Sequence, residues 1–268
     1  MKIGMCRSAD DFDSFGIGKA AGVDFLEVSF DDICEFDREK TLLCRNKMDE
    51  CGIVCHSAKN FLPASLKVVG SNVDYNALSA YLEKGFENAA VLGIKVVVFG
   101  SGGARRFEDD TTYDEAYRQL VEFTRSYVSP IAAGHGITVV FEPLKSTETN
   151  LIHTVKDGVL AARDTGCENV GGLADLYHMV QNGDEISNIT AFKGEVLHSH
   201  IREPFERTFP LETDSAESKA YYKSFFKALM EAGCETCAIE SRAADFADAI
   251  APSVKYLKNL IKECEAEL

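Results

Sequence analysis

Residues 196–210 read VLHSHIREPFERTFP. His198 and His200 are two apart in an apolar setting. Residues two apart in a strand face the same side, so both imidazoles would share one face with Val196. Arg202, Glu203, Glu206 and Arg207 follow at once. Elsewhere three acids close short apolar runs: Glu142 ends TVVFE, Asp175 ends VGGLAD and Glu240 ends TCAIE, with His178 three residues after Asp175. Singly, such residues are ordinary strand ends or satisfied core groups. Gathered at one mouth, three unpaired carboxylates would repel one another and carry a large desolvation cost. A divalent cation resolves that conflict. Oxygen donors with one imidazole suit Mn2+, Mg2+ or Co2+, with Zn2+ as an alternative.

The elements that must bring these residues together are eight strand candidates. They are KIGMC near residue 2, VDFLEVSF from 23, GIVCHSA from 52, KVVVFGS from 95, TVVFEPL from 138, VGGLADL from 170, VLHSHI from 196 and TCAIESR from 236. Amphipathic stretches lie between them. YNALSAYLEKGFENAAVLG and SKAYYKSFFKALMEAGC each end at a glycine, and TTYDEAYRQLVEFTRSYVSPIAAGHG ends on Gly134 and Gly136, as helices often do. Regular alternation of strand and helix implies a parallel sheet. Eight units in one chain of 268 residues fit an α/β fold in which residues 1–268 form a single (β/α)8 TIM barrel domain. A doubly wound open sheet is the alternative, but the first turn, CRSADDFDSFG, lacks the glycine fingerprint that such sheets carry. In a barrel the site forms at the C-terminal ends of the strands, where Glu142, Asp175, His178, His200 and Glu240 would stand.

Composition narrows the function. The formal charge of −15 repels phosphate backbones and argues against nucleic acid as a partner. No apolar run reaches the roughly 18–20 residues of a membrane span. The opening MKIGMCRSADDFDSFG does not read as a signal peptide. Nine scattered cysteines read as reduced, mostly buried thiols of a cytoplasmic protein. A zinc site assembled from Cys51, Cys55, Cys234 and Cys237 is the weaker reading, because the two pairs lie far apart in the chain.

These residues resemble the motifs of the sugar phosphate isomerase/epimerase superfamily with the xylose-isomerase-like TIM barrel, in particular its ketose 3-epimerase-like branch. The resemblance covers most of the chain and is densest from Val96 to Arg242. VVVFGSGGARR is similar to the family's loop after the fourth strand, FEPLKSTETN to its fifth-strand motif, ADLYHM to its D-x-x-H-M motif, HSHIREPFER to its H-x-H motif, and AIESR to its last one. The resemblance implies metal ligands at Glu142, Asp175, His200 and Glu240. It implies substrate contacts at Glu148 and His178 and, one residue out of the family spacing, at Arg207, with Arg202 as fallback. It further implies a sugar or sugar-phosphate substrate and a homo-oligomer, dimer or tetramer.

The implied chemistry is proton abstraction next to a ketose carbonyl through an enediolate, with Glu142 and Glu240 as base and acid. His198, one layer deeper, reads as a packed or hydrogen-bonded barrel histidine. The chain has no tryptophan, which the ketose epimerases commonly use to line the sugar pocket. Phe61 and Phe107 are candidate apolar walls, with loop packing as the alternative. His56 and Lys59 are weaker candidates for touching a substrate or a phosphate. Arg105 and Arg106 read as a solvated surface pair. An inosose dehydratase-type lyase is the nearest competitor. An apurinic-endonuclease-type metal hydrolase would want more histidines than VFGSGG supplies, and a non-catalytic ligand-binding barrel would not need four ligands.

Overall fold

The computed structural model describes residues 1–108, 110–241 and 246–268. Eight parallel strands close into a barrel in sequence order: β1 (Lys2–Arg7), β2 (Phe25–Ser29), β3 (Val54–Lys59), β4 (Val96–Phe99), β5 (Thr138–Phe141), β6 (Val170–Asp175), β7 (Val196–Ile201) and β8 (Thr236–Ile239), with β8 paired back to β1. Around it run α1 (Phe12–Ala20), α2 (Phe30–Glu35), α3 (Arg38–Cys51), α4 (Tyr75–Leu92), α5 (Tyr113–Phe123), α6 (Ser129–Gly134), α7 (Val155–Thr165), α8 (Leu176–Asn182), α9 (Ser187–Ala191), α10 (Ala216–Ala232) and α11 (Phe246–Glu267). All eight strand candidates are strands. Arg242, at the end of the eighth candidate, lies outside the described residues.

The alternation of side chains builds two cores. Val97, Phe99, Val139 and Phe141 point outward and join the large apolar layer under the helices. Val96, Val98, Val140 and Leu173 form a separate small cluster inside the barrel. The rest of the interior is partly polar: Glu27, Ser57, His198 and His200 are fully buried. Near the base, the ring of Phe25 occupies the space beside Gly4, where a Cβ would lie 2.2 Å from Phe25 Cε2.

Two helices end as their sequence implies, with Gly93 after α4 and Gly233 after α10 in the left-handed region at φ 87° and 81°. The stretch expected as one helix from 111 to 136 is broken: α5 gives way to a π-helical turn at Thr124–Val128 before α6. Pro130 enters at the start of α6. It has no N–H and crowds the carbonyl four residues back, which favours a wider turn there.

Candidate metal and substrate site

Each predicted residue reaches the mouth for a local reason. Val140 points into the barrel, so Glu142, two residues on, takes the same side. Asp175 ends β6 and is the N-cap of α8, its Oδ1 accepting from the His178 backbone N–H at 2.9 Å. The D-x-x-H spacing is therefore an N-cap and its third helical residue. His200 stands directly across from Asp175 in the β6–β7 register. Glu240 follows β8, its N–H held by the Ile201 carbonyl at 3.1 Å.

The four side chains converge. His200 Nδ1 is 2.8 Å from Glu142 Oε1 and 3.7 Å from Asp175 Oδ2. One ligand atom each from Glu142, Asp175, His200 and Glu240 lies within 4.8 Å of every other. Three carboxylates and one ring nitrogen facing one point make a donor set that could hold a hard divalent cation. Burial disfavours an imidazolium at His200, but Glu27 and Glu142 outweigh it and raise its pKa well above the ordinary range. Burial alone would raise Glu240; Lys59, Arg202 and His200 hold it below the usual carboxylate range instead.

Two cations complete the floor. Lys59 Nζ lies 2.8 Å from Glu240 Oε1, and Arg202 Nη1 lies 2.7 Å from Glu240 Oε2. Arg202 Nη2 also donates to Asp175 Oδ2 at 3.1 Å and sits 3.0 Å from His178 Nε2. The Lys145 backbone N–H donates to His178 Nδ1 at 3.0 Å. An imidazole with one proton cannot accept at both nitrogens. With Nδ1 accepting, Nε2 carries hydrogen, and His178 and Arg202 are neighbouring donors that suit a shared substrate oxygen.

Of these groups Glu142, Glu240, Lys59, His178 and Arg202 line a cavity of about 370 Å³, within the range of small-molecule sites, with Asp175 and His200 buried beneath it. Glu148 and Arg207 line it too and pair with each other at 3.2 Å, with the Arg207 guanidinium 4.5 Å above the Tyr177 ring. Asn60, Ser101 and Arg207, all on the cavity wall, are three of the four described non-glycine residues with positive φ. Such strain gathers at functional sites. At Gly100 a Cβ would stand 2.1 Å from Glu142 Oε2, so the loop after β4 is bare where that carboxylate needs room. A larger groove of about 870 Å³ on the helical layer has no histidine or cysteine among the described residues that line it.

Several sequence expectations need correction. Arg105 is not a solvated surface residue. It is fully buried, donates to the Phe99 and Glu142 carbonyls at 3.2 and 2.6 Å, and is pushed down to about 10 by burial. Arg106 is exposed as expected. Phe61 does not wall the cavity: it packs in the core against Phe30, Phe86 and Phe99. Phe107 lies edge-on to Tyr113 and is not part of the cavity lining. His56 faces Phe25 and His198 below the mouth and is not among the residues lining the cavity, whereas Lys59 is. His198 is the hydrogen-bonded barrel histidine expected, at 2.7 Å from both Thr236 Oγ1 and Glu27 Oε2. The nine cysteines are all free, and no metal-capable group among the described residues joins the two cysteine pairs. Glu27 escaped the sequence reading, although an acid inside the apolar run DFLEVSF was a visible signal.

Comparison with known proteins agrees with the architecture. The model of a family described as xylose isomerase-like TIM barrel matches residues 15–260. A D-psicose 3-epimerase of Agrobacterium fabrum (strain C58 / ATCC 33970) is 24% identical over 194 residues, which cover 69% of this chain and 65% of that protein. The structure of an L-ribulose 3-epimerase superposes with a TM-score of 0.82 at 18% identity, covering 100% of this chain and 97% of the other. That of a D-allulose 3-epimerase from Methylomonas sp. gives 0.81 at 20% identity, covering 97% and 98%. A 3-keto-D-glucoside 4-epimerase from E. coli gives 0.78 at 21%, covering 97% and 99%. With a closed eight-stranded parallel barrel and a family match over most of its length, this chain belongs to the xylose isomerase-like TIM barrel family.

Proposed function

We propose that this protein is a divalent-metal-dependent epimerase or isomerase of a ketose or ketose phosphate, folded as one barrel domain. The observation that carries the reading is the convergence of Glu142, Asp175, His200 and Glu240 from four successive strands within 4.8 Å, at the floor of a cavity walled by hydrogen-bonding and charged groups. The names of the similar proteins, ketose 3-epimerases among them, support the substrate class. Nine free thiols support a reducing, cytoplasmic location. No helix among the described residues is long and apolar enough to cross a membrane.

A divalent cation held by those four residues would polarise a ketone and its neighbouring oxygen. The chain's own groups do the rest. Glu142 turns Oε1 to His200 and Oε2 toward Gly100, so it has an oxygen to take the proton from the carbon next to the carbonyl. Glu240 stands across the mouth as the group for the opposite face; Lys59 and Arg202 hold it ionised here, so it returns a proton only once those contacts loosen around bound substrate. His178 and Arg202 donate to the oxygen on which negative charge develops. Glu148 and Arg207 hold the far hydroxyls.

Solvent-deuterium exchange tests this. Protein loaded with Mg2+, which avoids paramagnetic broadening, is incubated in D2O with ketoses, ketose phosphates and inososes, beside Glu142→Gln. Deuterium next to the carbonyl in wild type, and at least about 10²-fold slower in the variant, is the expected result. The product then separates epimerase, isomerase and dehydratase. Metal-loaded protein that exchanges no compound of the panel would sink the reading.

A further inference from the structure

Glu27 lies in the middle of β2, is fully buried, and stands outside the four-residue convergence. Its two oxygens are surrounded. Oε2 accepts from Ser57 Oγ at 2.6 Å and faces His198 Nε2 at 2.7 Å. Oε1 faces Cys6 Sγ at 3.1 Å and His200 Nε2 at 2.7 Å, the latter off the ring's hydrogen-bonding axis. A carboxylate that already meets three donors, Ser57 Oγ, His198 Nε2 and Cys6 Sγ, acts as an acceptor at both oxygens. His198 is oriented from behind: Thr236 Oγ1 meets its Nδ1 at 2.7 Å, which leaves Nε2 to donate to Glu27.

His200 is the ring that matters. Its Nε2 lies 2.7 Å from Glu27 Oε1 without an aligned hydrogen bond, and its Nδ1 faces Glu142 and Asp175. A hydrogen on Nε2 leaves the Nδ1 lone pair facing carboxylate oxygens, an arrangement that is repulsive until a cation lies between them. Histidine ligands to metals almost always give their other ring N–H to a carboxylate or carbonyl, which fixes tautomer and orientation. We propose that Glu27 is a positioning residue that holds His200 with its hydrogen on Nε2 and its Nδ1 lone pair free for a divalent cation. His198, Ser57 and Cys6 in turn fix Glu27. This rests on the metal reading above, and it gives the paired histidines of β7 two roles: one faces the cation, the other buttresses the carboxylate that aims it.

The test has two readouts besides turnover. The first is ring 15N NMR of the Mg2+-loaded wild type, which is expected to show the His200 hydrogen on Nε2. The second is calorimetric titration of Mn2+ into metal-stripped wild type, Glu27→Gln and Glu27→Asp. Glutamine offers one oxygen and one amide nitrogen, so one histidine must meet a donor. Its Mn2+ affinity is expected to fall 10- to 100-fold, with Glu27→Asp, which keeps an acceptor-only carboxylate, recovering part of the loss. If wild type binds no divalent ion, the metal reading fails and takes this proposal with it. If wild type binds and Glu27→Gln stays within threefold, the proposal alone is overturned. Should Glu27→Gln fail to fold, the wild-type ring pattern decides, and a hydrogen on Nδ1 overturns it.

Discussion

Gly100 and His56 show how single residues are constrained in opposite parts of the barrel interior. Gly100 is bare because Glu142 Oε2 fills the space of its missing side chain. Gly100→Ala is therefore expected to displace that carboxylate and lower kcat by about 10²-fold, the scale on which a 1 Å misplacement acts. Circular dichroism should show the fold retained, and an unchanged kcat would count against the placement of Glu142. His56 sits deeper, beside Phe25 and His198. Burial, helped by His198, Lys2 and Lys95 and opposed by Glu27, lowers its pKa to about 4. An unfolded histidine titrates near 6.5. Below that value the unfolded chain binds a proton that the folded one refuses, so this contribution to stability is lost as pH falls from about 6.5 to about 4. The slope is at most about 1.4 kcal/mol per pH unit and smaller here because the ring is only half-buried. Urea unfolding of wild type and His56→Gln between pH 7 and 5 should show a shallower fall in the variant; parallel curves would exclude His56 as the source.

Strand register and loop caps turn these residues into a site. The β2–β3 register shifts between Leu26 and Glu27, and the β6–β7 register shifts between Gly172 and Leu173. The first brings Glu27 opposite Ser57 and the second brings Leu173 opposite His198. Such irregularities re-aim side chains beside active sites, and both occur where the buried polar network is built. The loop after β7 is organised by Glu203, whose Oε2 takes the backbone N–H groups of Phe205 and Glu206 while Oε1 takes Ser218 Oγ at 2.5 Å. That tight loop gives Arg207 its positive φ and its place on the cavity wall. Farther from the chemistry, Thr154 and Asp157 form a capping box at the start of α7. Thr154→Ala should cost about 1 kcal/mol in denaturant unfolding and leave kcat unchanged; an equal loss of kcat would show that α7 also sets the geometry of the mouth.

The whole molecule carries a formal charge of −15, and part of that charge is gathered at the mouth of the barrel. Binding a cation to the folded but not the unfolded chain stabilises the fold by mass action. At a free Mn2+ concentration of 100 times Kd the gain is about 2.7 kcal/mol, and for a chain of this size the melting temperature should rise by roughly 5–10 °C. Thermal unfolding with excess EDTA and with excess Mn2+ measures it. Identical midpoints would mean that Glu142, Asp175, His200 and Glu240 hold no metal. The same comparison in Asp175→Asn should reduce the metal-dependent shift by at least half.

The sequence by itself determined the architecture and the acids and imidazoles of the mouth. Strand and helix periodicity are local, and a parallel barrel places the end of every strand at the same mouth, so Glu142, Asp175, His200 and Glu240 could be found from their positions alone. Their partners were not legible in the same way. Glu27 lies 171 residues from His198 and Lys59 lies 181 from Glu240. Nothing local in DFLEVSF or HSAKNF says which side chain each will meet. Arg105 looked like a surface charge because its neighbours in GARRFED are polar, and only the closed fold turned it under the loop to two buried carbonyls. Tertiary structure decided these contacts because a buried charge is placed by the partners that balance its desolvation, and those partners arrive from strands far away in the chain.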